Sequence, residues 1–437
     1  MEKEFIAFNL PLDFKLGTAT ASLQIEGGDT NNNWYRWCEL KRIKDGSHCK
    51  IACDHWNRVD EDIELMKTLN CEIYRMSLEW SRIEPQKDNF NLNAINHYKE
   101  EIKKLKDSGI EPLVTLHHFS NPIWFEDMGG WSNPESIKLF ERYTEYVVAN
   151  LGEYVSEWIT INEPNVYLYQ SFIVGNWPPG EKGNIKRFLI SAKNLIIAHI
   201  FSYRKIHEVR LNKGLKDTKV GVANHIRVFD PKSDFFLDRI VSKNLDKLFH
   251  EIFITGMSDG LLIPPVGRGY PLGKGKFLDF FGINYYSRDI VSFSFNINNL
   301  FAKIELKEDA KTNDLGWEIY PEGIYRIAKK YYERFKLPIY ITENGIADAK
   351  DNLRLEYIYF HLYYIKKAID EGIDIKKYFH WTLTDNFEWT EGESARFGLI
   401  EMDFKTQKRT IRKSGYFFSE IVKNKGITEE MIKKFLG

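Results

Sequence analysis

Glu163, in Trp158-Ile-Thr-Ile-Asn-Glu-Pro, and Glu343, in Ile339-Tyr-Ile-Thr-Glu-Asn-Gly, each follow a short apolar run with strand character. A carboxylate at the end of such a run lies neither on a solvated helix face nor in an apolar core, so it contributes little to stability. It is well placed for catalysis if the strands are parallel and close into a barrel, because reactive groups there project from the C-terminal strand ends. Two carboxyl groups facing each other across a barrel mouth are what cleavage of a glycosidic bond requires.

The elements needed to position them are legible. Eight strand-like runs begin near Phe14, Glu72, Pro112, Glu157, Lys219, Leu278, Pro338 and Lys377. Amphipathic helical patterns lie between them: Ile63, Met66 and Leu69 share a face, as do Ile95, Tyr98, Ile102 and Leu105. Further helices are expected from Pro134 through Leu151 and from Tyr357 to Ala368, and Gly109 and Gly372 stand at helix stops. Eight alternations of strand and helix predict a (β/α)8 TIM barrel. With no linker-like tract in the chain, residues 1–437 read as a single catalytic domain. Each unit averages about 55 residues, against about 250 residues for a whole minimal barrel. The surplus is expected in long βα loops, one of which, from Val291 to Asn298, alternates apolar and polar like an extra hairpin strand packed on the barrel.

Composition excludes several classes. The 437 residues carry 61 basic and 62 acidic side chains, a formal net charge of −1, which favours neither nucleic acid nor an anionic membrane. Met1-Glu-Lys-Glu-Phe does not start a signal peptide, and no stretch is long and apolar enough to span a membrane, so a cytoplasmic protein is expected. Nothing in the sequence fixes the oligomeric state, and a homo-oligomer is compatible with it. Four cysteines are too few for a disulfide scaffold. His48, Cys49, Cys53 and His55 are close in sequence, but three residues separate the cysteines and no second pair follows at finger spacing. Packed thiols are expected there, with neither metal nor cofactor.

The ends of the predicted strands collect polar residues: Gln24 and Glu26, Arg75, His117 and His118, Asn162 and Glu163, Asn284 with Tyr285 and Tyr286, Glu343, then Trp381 followed by Asp385 and Glu388-Trp389. Each alone has a structural explanation. Their joint occurrence on one rim does not, since a packed barrel gains nothing from it.

The segments GTATASLQIEG, YRMSLEWSRI, LVTLHHFSNPIWF, WITINEPN, FFGINYYSR, PIYITENGI, WTLTDNFEWTEG and RFGLIEMDF resemble, in order, those of glycoside hydrolase family one, as does the closing KTQKRTIRKSGYFFSEI. The likeness spans nearly the whole chain and looks greatest to the shorter archaeal or thermophilic β-glycosidases. The resemblance implies a retaining β-glycosidase in which Glu163 is the acid/base and Glu343 the nucleophile. It implies that Gln24, His118 rather than His117, Asn162, Glu388 and Trp389 hold the sugar hydroxyls, with Trp381 as a platform. Arg75, Asn284 and Tyr286 would orient the nucleophile. Retention requires the carboxyl groups about 5–5.5 Å apart, with Glu343 ionised and Glu163 protonated by the repulsion between them. Family members acting on 6-phosphoglycosides carry Ser in place of the Glu388 type of residue, so a small non-phosphorylated β-glucoside, or a galactoside or fucoside, is the expected substrate. Two other readings are a 6-phospho-β-glycosidase and a non-catalytic glycan-binding protein, the latter disfavoured by the presence of both carboxylates.

Overall fold

The computed structural model describes residues 5–296 and 300–437. Met1 to Glu4, and the Ile297-Asn298 end of the expected hairpin strand, lie outside the described residues. Eight parallel strands close into a barrel: β1 (Lys15–Ala19), β2 (Ile73–Ser77), β3 (Glu111–His117), β4 (Glu157–Asn162), β5 (Lys219–His225), β6 (Phe281–Asn284), β7 (Ile339–Asn344) and β8 (Ile375–Trp381). Closure is made by β8 lying beside β1, from Lys377 opposite Lys15 to Trp381 opposite Ala19. Each expected apolar run is one of these strands. The runs are continuous rather than alternating because helices cover the outside while side chains fill the inside.

The helix Leu92–Asp107 illustrates how the outer layer forms. Asn91 caps it by accepting from the Asn93 and Ala94 amides; Ile95, Tyr98, Ile102 and Leu105 are buried along one face; and Gly109, at φ +76°, carries the chain out. The helices Ser136–Leu151 and Arg354–Asp370 likewise bury one apolar face, without a side-chain cap at the residue before the first turn. Among the described residues no helix is long and apolar enough to cross a membrane.

The surplus length lies in the βα loops, as expected. Residues 20–54 follow β1 and carry two short helices, and residues 226–280 follow β5 and carry the strand Val228–Pro231 and the helix Phe236–Asp246. After β6 comes the hairpin of Arg288–Phe293 with Ala302–Glu305. Its apolar face does not pack on the barrel. Val291 and Ala302 bury against Val241, and Phe229, Leu245 and Phe293 pack against this cluster, so the face is covered by the β5 excursion.

Candidate active site

The two strands that bear the carboxylates are irregular where they end. The register of β4 against β5 shifts between Ile159 and Asn162, and that of β7 against β6 shifts between Ile341 and Glu343. Such shifts re-aim side chains at a barrel rim. Glu163 itself adopts φ +40°, uncommon for a residue with a Cβ, and Pro164 starts a helix directly after it. Gly345 follows Glu343-Asn344 because a Cβ there would lie 1.8 Å from the Trp381 carbonyl oxygen on β8. Asn344 turns away from the cavity, donating to the Tyr285 carbonyl and to the Tyr357 hydroxyl.

Glu343 is buried and receives two strong donors. Arg75 Nη1 is 2.5 Å from Oε1, and the Tyr286 hydroxyl donates to Oε2 at 2.6 Å. Burial pushes the Glu343 carboxyl up to about 7; Arg75 opposes this, the Glu163 charge adds to it, and the Tyr286 donor again opposes it. Glu163 has a different environment. Asn284 Nδ2 donates to its Oε1 at 2.8 Å, and His225 Nδ1 lies 3.2 Å from the same oxygen.

Asn284 was expected beside Glu343, and here the structure differs. Thr342 Oγ1 donates to Asn284 Oδ1 at 2.6 Å, which fixes the amide with Nδ2 towards β4, on Glu163 and Asn162. His225, at the end of β5, was not picked out from the sequence. The strand ends in two polar residues, Asn224 and His225, but apolar residues resume at Ile226 and Val228. A search for polar residues at every strand end, β5 included, would have found it.

A chain of hydrogen bonds runs from Arg75 to the far wall. Arg75 Nη2 donates to Asn162 Oδ1 at 2.7 Å, so Asn162 presents Nδ2 to His118 Nε2 at 3.0 Å. The His118 proton therefore sits on Nδ1, a buried atom with no partner among the described residues. Burial holds His118 well below the usual imidazole range, with Arg75 and His117 adding to the effect, so the ring is neutral. His118 faces Trp381 and Trp389, with ring centroids 5.9 and 5.8 Å away. His117 points the other way, to Asn121 at 2.9 Å and to Trp131.

Glu388 closes the glycone end. Gln24 Nε2 donates to its Oε2 at 3.0 Å, while Gln24 Oε1 is buried without a protein partner. Burial raises the Glu388 carboxyl to about 8; the Gln24 donor lowers it, the Glu343 and Glu163 charges raise it, and a Trp381 donor lowers it. Arg396 lies apart from this group, on the Asp385 carboxylate, the Met402 carbonyl and the Phe404 ring. Glu26 is likewise engaged elsewhere, with Arg82 and Tyr98.

His118, Glu163, Tyr286, Glu343, Trp381, Glu388 and Trp389 line one cavity of about 970 Å³ including its mouth; Arg75, Asn162, Asn284 and Gln24 support it from behind. Its outer wall is made by Tyr169, Trp177, Arg227, Phe249 and Trp317. The four residues weighed for a metal do not converge. His55 is tied to Asp62 and Glu101, and Cys53 to the Asp385 carbonyl, leaving His48 and Cys49 elsewhere.

The model of glycosyl hydrolase family 1 matches residues 7–260 and 274–427. The chain belongs to glycosyl hydrolase family 1. Beta-glucosidase A of Thermotoga maritima is 35% identical, over 96% of this chain and 99% of its own length. A β-galactosidase of Pyrococcus woesei is 30% identical, over 98% and 99%. The solved β-glycosidase from Pyrococcus horikoshii superposes with a TM-score of 0.88 at 37% identity, covering 98% of each chain. As a family 1 member with this full-length match, the protein is a glycoside hydrolase on a TIM barrel.

Proposed function

We propose that this enzyme is a retaining β-glycosidase acting on terminal, non-phosphorylated β-glucosides, with β-galactosides and β-fucosides as further substrates. The relatives named above include both β-glucosidase and β-galactosidase. The observation that carries the reading is the unequal surroundings of the two carboxyl groups. Arg75 and Tyr286 both serve Glu343, which suits a carboxylate that must be anionic to attack the anomeric carbon. The Asn284 donor and the His225 ring nitrogen both fall on Glu163 Oε1, which leaves Oε2 to carry a proton to the leaving oxygen. Once the glycosyl ester forms, Glu343 is neutral, and Glu163 can take a proton from water or from a sugar acceptor. Arg75, Tyr286, Asn284 and His225 are positioning residues in this scheme.

Glycone binding follows from the unpartnered polar atoms. His118 Nδ1–H donates to one hydroxyl, Gln24 Oε1 accepts from another, and the second Asn162 amide hydrogen is directed to the 2-hydroxyl. Trp381 and Trp389 supply apolar faces for the ring. We assign all of these to one catalytic domain, 1–437, acting in the cytoplasm without cofactor or resident catalytic metal; a homo-oligomer is compatible with the scheme.

Two outcomes test the assignments. Glu343 must be ionised, so kcat/KM falls as pH drops through the range where Glu343 takes up its proton. Removing the cation with Arg75→Met leaves burial opposed by the Tyr286 donor without the Arg75 charge, and the acid limb of the pH profile is expected to move to higher pH. An unmoved limb would separate Arg75 from the ionisation of Glu343. The second outcome concerns the 6-position. Among the described residues the partners at the Glu388 carboxylate are the neutral Gln24 amide and the Trp381 donor, so a phosphate there would meet a buried carboxyl without a paired cation. Glu388→Ser is expected to lower kcat/KM for an aryl β-glucoside by about 10- to 100-fold, the worth of one or two hydrogen bonds to a buried carboxyl. It is also expected to narrow the preference over the 6-phosphoglucoside. Unchanged discrimination would mean that Glu388 does not read the 6-position, and a wild-type preference for the phosphorylated sugar would overturn the substrate class.

A further inference from the structure

Away from the cavity, a second cluster has the donor types and spacing of a metal centre. Cys38 lies in the last turn of the helix Asn33–Glu39, and Cys49 lies in the loop that follows. Both are buried and both are free thiols, with their sulfurs 3.7 Å apart. Two thiolates on one tetrahedral zinc, each at about 2.3 Å, stand about 3.8 Å from each other. The pair is therefore already at the separation such an ion imposes. A ring nitrogen of His48 completes a trio whose ligand atoms all lie within 4.8 Å of one another. A zinc-bound nitrogen and sulfur sit about 3.5 Å apart, so roughly 1 Å of movement closes the set. His48 is half-buried in the loop, which leaves it room to move and gives an ion a way in.

The surroundings of His48 are those of a metal-bound imidazole. Its Nδ1 accepts from the Lys50 amide at 3.0 Å, so Nε2 carries the proton and donates to the Glu39 carboxylate, also at 3.0 Å. A carboxylate on the far nitrogen fixes the tautomer and orients the ring of a metal-ligating histidine. Binding exchanges the Lys50 contact for a bond from Nδ1 to the ion and keeps the Glu39 contact.

We propose that Cys38, Cys49 and His48 form a structural site for a divalent ion of the zinc class, with water in the fourth position. One Zn(II) binds two thiolates and one neutral imidazole while two protons leave the thiols, so the buried centre carries no net charge. Its role is to fasten a loop that braces the sugar-binding rim. Lys44 donates its amide to the Thr390 carbonyl at 2.9 Å, and the Asp45 carboxylate accepts from the Glu393 and Ser394 amides at 2.7 and 3.0 Å. These contacts adjoin Glu388 and Trp389.

The test is titration of the reduced, metal-free enzyme with Co(II) under nitrogen, followed by Zn(II). One equivalent is expected to produce thiolate-to-cobalt charge-transfer absorption and the intense visible bands of a tetrahedral ion, all lost when Zn(II) displaces it. Cys38→Ser and Cys49→Ser are each expected to abolish the charge-transfer absorption, while Cys53→Ser and Cys71→Ser retain it. His48→Ala is expected to weaken Co(II) binding at least tenfold. Hydrolysis of an aryl β-glucoside by every variant reports that it has folded. No cobalt spectrum in the reduced wild type overturns the site, and so does a spectrum that survives loss of Cys38 or Cys49. If a serine variant does not fold, His48→Ala decides: it lies on a half-exposed loop, and unchanged affinity overturns the proposal. None of these readouts depends on the assignment of the catalytic carboxylates.

Discussion

Replacing Glu343 with Gln is expected to lower kcat for an aryl β-glucoside by about 10⁴-fold or more, the scale of losing a covalent nucleophile. The amide side chain keeps nearly the same shape and can still meet the Tyr286 hydroxyl, so loss of turnover cannot be ascribed to collapse of the site. It cannot form the glycosyl ester. The smaller Glu343→Ala variant gives the positive counterpart. A small anion such as azide, occupying the vacated space, is expected to attack the anomeric carbon and release the α-glycosyl azide. Appreciable residual hydrolysis in both variants, or formation of a β-azide, would assign the nucleophile elsewhere.

Glu163→Ala is expected to separate substrates by their leaving groups. Alkyl glucosides need a proton on the departing oxygen, and kcat/KM for them should drop by about 10²- to 10⁴-fold, the range of general acid catalysis. A dinitrophenyl glucoside needs no such proton, so its first step should fall by less than about tenfold while its second step, which needs the base, becomes limiting. Added azide should then restore turnover and give the β-glycosyl azide. Equal losses for all leaving groups would remove the acid role from Glu163. The sparing effect on activated substrates also distinguishes this variant from one that merely misfolds.

The barrel was legible because short, mainly apolar runs alternate with amphipathic helices eight times, and most of the runs end in or lead directly to polar residues. The same rule exposed Gln24, Arg75, His118, Asn162, Glu163, Glu343 and Glu388, all of which the fold gathers at one mouth or just behind it. Applied to the end of β5 as well, it also finds His225, which follows Asn224 there. The resemblance, not this rule, linked Asn284 to Glu343; Asn284 lies opposite Glu343 in the strand register, but its amide is turned to Glu163 by Thr342 on the next strand. Loop structure was least accessible. The face of the hairpin at Val291 is satisfied by Val241, and Cys49 meets Cys38 rather than Cys53. Both are contacts between segments with no shared periodicity, which only the folded chain brings together.

Closure of the barrel by β8 against β1 has one more consequence. Glu163 lies on the first four strands and Glu343 on the last four, so neither half of the chain holds a complete reacting pair. Glucoside cleavage is thus a signal that the ring has shut. A nascent chain, a proteolytic fragment or a partly opened barrel is chemically silent, and two halves expressed apart would announce their reunion by releasing sugar.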